Sequence, residues 1–202
     1  MTARDPNIEQ DVRSMVQRIV DGLLDDSPDS ATDGLEVGHE STDPSEWGRA
    51  DTIAVGGDHG GYMLKERLVF KLAEAGHTVI DCGTDSTDAV DYPDIAVDVA
   101  RRVAGGEADI GIVVDGAGIG SAMVANKIPG VRAALCYDLS TARNAREHNH
   151  ANVLSLGAAL IGDGLAWQIT QEFIATPFGM GRHARRVAMI DAVDHSAVEV
   201  VT

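Results

Sequence analysis

Five short apolar runs, each followed by a segment of helical period, fill residues 52–193 and constrain the fold more than any other feature of the chain. The runs 52–56, 78–81, 110–114, 131–136 and 153–156 are built mainly from Val, Ile, Leu and Ala and read as strands. Helical spacing covers 62–75, 95–103, 140–147, 165–175 and 182–193, and a further short helix ends at Lys127. Strict alternation of strand and helix argues for a parallel sheet, because each return to the same strand direction needs a crossover. The expected fold is α/β, a doubly wound, Rossmann-like five-stranded parallel sheet flanked by helices. Aromatic residues are 4% of the chain against 44% hydrophobic, so the core has to be aliphatic, as in sheets covered on both faces. Ligands of such sheets bind beyond the carboxyl ends of the strands.

The residues ahead of this block follow another pattern. Ile8, Val12, Met15, Val16, Ile19, Val20 and Leu23 recur at spacings of three and four, which makes 1–24 an amphipathic helix with one apolar stripe. Asp5, Pro6 and Asn7 supply capping and first-turn residues. Residues 25–51 carry Asp, Ser, Pro and Gly with almost no apolar period. Such a stretch cannot offset its ordering entropy and is expected to be a disordered acidic linker. The expected organisation is therefore helix, linker, a domain over 52–194, and a tail over 195–202.

Charge and cysteine usage exclude several classes. A net charge of −16 and a pI of about 4.6 repel phosphate backbones, so no nucleic-acid partner is expected. An anionic ligand would need a local positive pocket set against that field. Cys82 and Cys136 form no CxxC and no Cys/His cluster, which argues against a disulfide framework or a metal site. No apolar run is long enough to span a membrane, and the N-terminus lacks a basic segment followed by an apolar one. These features point to a soluble protein of the reducing cytoplasm.

The unusual residues collect after the strands. Gly57-Asp58-His59-Gly60-Gly61 follows the first; taken alone it reads as a turn in which Asp caps the next helix. Asp115-Gly116-Ala117-Gly118-Ile119-Gly120 follows the third, a frame whose amides can approach an anion or an enediolate oxygen, or form a tight strand-to-helix turn. It follows the third strand and not the first, which disfavours a dinucleotide site. Arg146-Glu147-His148-Asn149 precedes the fifth strand, and His148 can carry protons near neutral pH; a polar helix end is the plainer reading. Arg182 and Arg186 are four apart on one helix face, a fork suited to phosphate or to the acidic surface.

These segments, together with Asp91-Tyr92-Pro93, Ala125-Asn126-Lys127 and Gly-Arg-His-x-x-Arg at 181–186, resemble in order and spacing the ribose-5-phosphate isomerase B family, which includes galactose-6-phosphate isomerase subunits. The resemblance spans residues 52–194. It implies an aldose–ketose isomerase of a phosphorylated sugar, acting through a cis-enediolate without metal or organic cofactor. By the same resemblance Asp58 and His148 assist ring opening, and His59, Arg182 and Arg186 hold the phosphate. Asn149 and the amides of 116–120 stabilise the enediolate, and Tyr92 and Asn126 line the pocket. The site lies between the subunits of a homodimer, with a tetramer as the larger alternative.

Four positions depart from the family pattern. Asp115 stands where many members have a cysteine base, and Ser121 where others have a glutamate. Ala117 replaces a usual Ser or Thr, and Ala159 a usual phosphate arginine. A carboxylate can abstract a proton beside a carbonyl, so Asp115 is the candidate base. Ribose 5-phosphate is the favoured substrate, with four- and six-carbon sugar phosphates as alternatives. A non-catalytic sugar-phosphate-binding relative is the competing reading. The leading helix looks like the encapsulation peptides of bacterial microcompartments, with the stripe over 8–24 docking on a shell or cargo protein. Its polar face is not basic, which disfavours a membrane surface, and packing on its own domain is the plainer alternative.

Overall fold

The computed structural model describes residues 50–196, with side chains to Val193. The helix expected at 1–24, most of the linker at 25–51 and the end of the tail lie outside the described residues. The chain is already tied down at Ala50 and Asp51. Asp109 accepts from the amides of Asp51 (2.9 Å) and Thr52 (2.8 Å), and the Ala50 carbonyl meets His77 Nδ1 at 2.8 Å.

Strands β1 (Thr52–Gly57), β2 (Thr78–Asp81), β3 (Ile110–Asp115), β4 (Ala133–Leu135) and β5 (Val153–Gly157) form one parallel sheet in the order β2-β1-β3-β5-β4. The intervening helices are α1 (Tyr62–Glu74), α2 (Tyr92–Ala104), α3 (Ile119–Ala125), α4 (Leu139–Asn149), α5 (Asp163–Ala175) and α6 (Arg182–Ser196). Along β3 the pleat sends Ile110, Ile112 and Val114 to one face, where they pack with Leu64, Leu68 and Leu72 of α1, Ala142 of α4 and Phe173 of α5. Val113 faces the other way, onto Val99 and Val103 of α2 and Ala125 of α3. Both faces are thus aliphatic and covered, as the composition required.

Several boundaries differ from the sequence reading, three of them for reasons visible in the structure. Helix α2 starts at Tyr92 and not at 95, because Asp91 is extended and Pro93 fits the first turn. Strand β4 shortens to three residues; Val131 donates to Ile128 O in a turn (3.1 Å) instead of pairing. Helix α4 begins at Leu139, where Asp138 caps the amide of Thr141 at 2.7 Å.

The sheet order sets the position of the site. From β1 the chain passes outward to β2 and returns to β3 on the other side of β1. Helix α1 leaves β1 toward one face and α3 leaves β3 toward the other. The turns after β1 and β3 therefore diverge, and a crevice opens at their carboxyl ends.

Candidate active site

The crevice gathers the first group of residues. Asp58, 8% exposed, donates its amide to Val114 O (3.1 Å), and its side chain accepts from Gly61 N (2.9 Å) and closes the turn, while α1 itself starts at the N-cap Gly61 without a side-chain cap. A β-carbon built at Gly60 would stand 3.5 Å from Gly116 N, which puts the two turns in contact. His59 Nδ1 accepts from the amide of Val90 at 3.3 Å, and this fixes the ring beside the loop leading to α2. Tyr92, at the start of α2, lies against Gly120; a β-carbon there would be 2.7 Å from the phenol ring. Asp58, His59, Tyr92 and the loop at 115–120 are thus neighbours at one end of the sheet.

Asp115 is the pivot of that loop. It closes β3, is 6% exposed, and its carboxylate accepts from four donors. Oδ1 takes the amides of Ala117 (2.8 Å) and Gly118; Oδ2 takes the amide (3.1 Å) and the hydroxyl (2.5 Å) of Ser121. Hydrogen bonds to a carboxylate are about twice as strong as neutral ones, so this group holds the loop in shape. The amides of Ala117 and Gly118, which the resemblance assigns to an enediolate, are turned to their own carboxylate. Tyr137 adds an outer clasp, its hydroxyl donating to Ala117 O at 2.7 Å.

The second group sits elsewhere. Helix α4 runs back from the carboxyl end of β4 to the amino end of β5, carrying His148 and Asn149 with it. Gly179 N donates to Glu147 O (2.8 Å), so α6 begins at that same end and brings Arg182, His183 and Arg186. The His183 ring stacks on His148 with centroids 4.3 Å apart. Burial, then the neighbouring His148, Arg182 and Arg186, lower the His183 imidazole from its ordinary range. Asp115 pairs with Gly157 and Gly111 with Val153, so the two groups stand at opposite ends of the strands. At about 3.3 Å per residue that is on the order of 15 Å. Within one chain His59 and the arginines cannot share a phosphate, nor can Asp58 and His148 share a sugar ring.

Asn126 joins neither group. Its amide nitrogen donates to Ala122 O (3.0 Å) and Ala133 O (2.9 Å), and its oxygen accepts from Ala133 N (2.8 Å). These bonds clamp α3 to β4. Two residues that the motifs passed over, Asn144 and Tyr137, touch the site residues directly. Asn144 is legible in hindsight, one helical turn before His148; nothing local marks Tyr137.

Known proteins share this sequence pattern and fold. The family model described as Ribose/Galactose Isomerase matches residues 53–190. Ribose-5-phosphate isomerase B of Escherichia coli K12 is 43% identical over 142 residues, 70% of this chain and 95% of that protein. Its counterpart of the same name from Mycobacterium tuberculosis is 39% identical over 140 residues, 68% of this chain and 86% of the other. Among solved structures, ribose-5-phosphate isomerase B of Clostridium thermocellum superposes with a TM-score of 0.72 at 44% identity, covering 72% of this chain and 99% of that one. The type B ribose 5-phosphate isomerase of Trypanosoma brucei gives 0.68 at 46%, covering 70% and 97%. With its α/β sheet in the order β2-β1-β3-β5-β4 and a family match across nearly all of the described residues, the chain belongs to the ribose/galactose isomerase family.

Proposed function

We propose that the protein interconverts ribose 5-phosphate and ribulose 5-phosphate through a cis-enediolate, with Asp115 as the base. The observation that carries this is the buried Asp115 carboxylate at the mouth of the β1/β3 crevice, beside Asp58, His59 and Tyr92. Asp115 takes the C2 proton, the enediolate forms, the hydroxyl proton of O2 passes to O1, and Asp115 returns its proton at C1, leaving the carbonyl at C2. Oδ1 and Oδ2 are each oriented by two donors, so the carboxylate is preorganised before substrate arrives.

The separation of the two residue groups supports a homodimer whose site takes Asp58, His59 and Asp115 from one protomer. His148, Asn149, Arg182 and Arg186 then come from the partner subunit. Ile119 (46% exposed) and Met123 (62% exposed) are one turn apart on α3, directly after the loop, and give this end an apolar surface for a second copy. The stripe over 8–24 docks the enzyme on a microcompartment shell or cargo protein; its support is the apolar period alone.

Proton NMR in deuterated water tests the activity. Loss of the C2 proton of ribose 5-phosphate and growth of ribulose 5-phosphate are expected, both abolished in Asp115→Asn. Burial pushes the Cys82 thiol up to about 12, and burial likewise holds Cys136 at about 11, so alkylating reagents should leave the rate unchanged. Failure to exchange the C2 proton of ribose 5-phosphate and of four- and six-carbon sugar phosphates would favour the second reading, a sugar-phosphate-binding relative. The four hydrogen bonds on Asp115 favour that reading too, since they also suit a purely structural carboxylate.

A further inference from the structure

His148 does not stand alone on α4. Asn144, one turn earlier, places its side-chain nitrogen 2.8 Å from His148 Nδ1. An amide nitrogen has only protons to offer, so Nδ1 must accept and the ring proton must sit on Nε2. The orientation of the Asn144 amide has its own support. Asn149 Nδ2 donates to the Asn144 backbone carbonyl at 3.3 Å, which brings it within 3.5 Å of Asn144 Oδ1, so the side-chain oxygen faces a donor. On the other side of the ring, Glu147 Oε1 lies 3.9 Å from His148 Nε2 and favours a proton there. The stack on His183 holds the ring plane. Asn144 and Asn149 both line an open depression of about 350 Å³ along α4, and the neighbouring His148 side chain is 37% exposed, open to a ligand from outside.

We infer that Asn144 is a positioning residue that fixes His148 as the Nε2–H tautomer, a neutral hydrogen-bond donor toward the sugar ring oxygen. This rests on the isomerase reading above and divides the labour in ring opening. The proton of the C1 hydroxyl passes to Asp58 of the partner subunit, and C1 becomes a carbonyl. The bond from C1 to the ring oxygen breaks, with its electron pair going to that oxygen. The Nε2–H hydrogen bond steadies the developing charge until water supplies a proton, and Asp58 returns its own to solvent. No proton leaves the imidazole.

Asn144→Asp keeps the shape and reverses the hydrogen bond, because a carboxylate can only accept. In the unmodified protein at alkaline pH, long-range ¹H–¹⁵N spectra should show His148 protonated at Nε2 and bare at Nδ1. In Asn144→Asp the proton should move to Nδ1. The kcat for ribose 5-phosphate should then fall on the order of 10²-fold, the size of one lost oxyanion donor, with KM little changed. Ribulose 5-phosphate has no ring to open, since its O5 carries the phosphate. Exchange of its C1 proton with solvent should therefore fall no more than a few-fold in the same variant. A proton on Nδ1 in the unmodified protein, or an unchanged kcat in the variant, would overturn the inference. Absence of ribulose 5-phosphate exchange in the unmodified protein would remove the isomerase reading, while the ¹⁵N spectrum would still decide the tautomer.

Discussion

At the scale of single residues, burial of charge governs more of this protein than its surface composition suggests. Arg146 is buried, donates to Ala151 O at 2.6 Å and lies over the Phe173 ring, and its Nε has no partner among the described residues. Burial, with Arg132 nearby, pulls this guanidinium down to about 10. His150 next to it stacks on Phe178 and sits at φ 48, in the left-handed region. Burial, reinforced by Arg132 and Arg146 and opposed by Asp191, lowers the His150 imidazole from 6.5 to about 4. The unfolded chain takes up a proton here as pH falls through 6.5, the folded chain only near 4. The stability this neutral ring contributes is full above 6.5 and is lost on acidification toward 4. Asn tolerates left-handed φ, so His150→Asn keeps the turn and removes the titration. The urea midpoint should fall between about pH 7 and about pH 5 in the unmodified protein and fall less in the variant. Equal falls would assign the acid sensitivity to other groups, His183 among them. His150 is where sequence reading ran out: beside His148 it looks like one more polar helix-end residue, and only the fold shows that it turns inward.

At the scale of elements, the loop between β3 and α3 combines a backbone requirement with the chemistry. Gly118 has φ +77, and a β-carbon on it would meet Leu135 Cδ1 at 2.5 Å and the backbone carbon of Leu156 at 2.9 Å. Gly116, two residues earlier, has nothing within 4 Å of that position. Gly118→Ala should cost about 2–4 kcal/mol, from left-handed strain of ~1–2 kcal/mol plus displaced neighbours. Gly116→Ala should cost no more than about 0.5 kcal/mol. Thermal melts of the two variants check this, and similar Tm values would show that the loop relaxes freely. The sheet and its helices were legible because their periods are long and their core is aliphatic. Strand β4 was read too long because Val131 and Cys136 are both buried and apolar, which resembles a strand, while the edge position that ends pairing is a property of the sheet. Asp115 could be singled out from sequence, but not its grip on Ala117, Gly118 and Ser121, because that depends on the curl of six residues.

At the scale of the whole molecule, the two residue groups were legible as one site only through resemblance, and the topology of one chain keeps them apart. A crossover helix that leaves the carboxyl end of one strand must return to the amino end of the next. His148 and the arginines therefore lie at the end away from Asp115, and in the homodimer proposed for this enzyme a second copy joins them. This makes a complementation experiment decisive. Asp115→Asn spoils the crevice group, and Arg186→Ala spoils the other group, so each variant alone should be nearly inactive. In a two-fold dimer a mixed pair carries one site with both defects and one site with none. Random subunit exchange makes half of the dimers mixed, and the mixture should recover about a quarter of the unmodified activity. Native mass spectrometry would confirm that exchange had occurred. A mixture that exchanged subunits and stayed inactive would place the working site inside a single chain, and the opposed ends of β3 and β5 would then need another explanation.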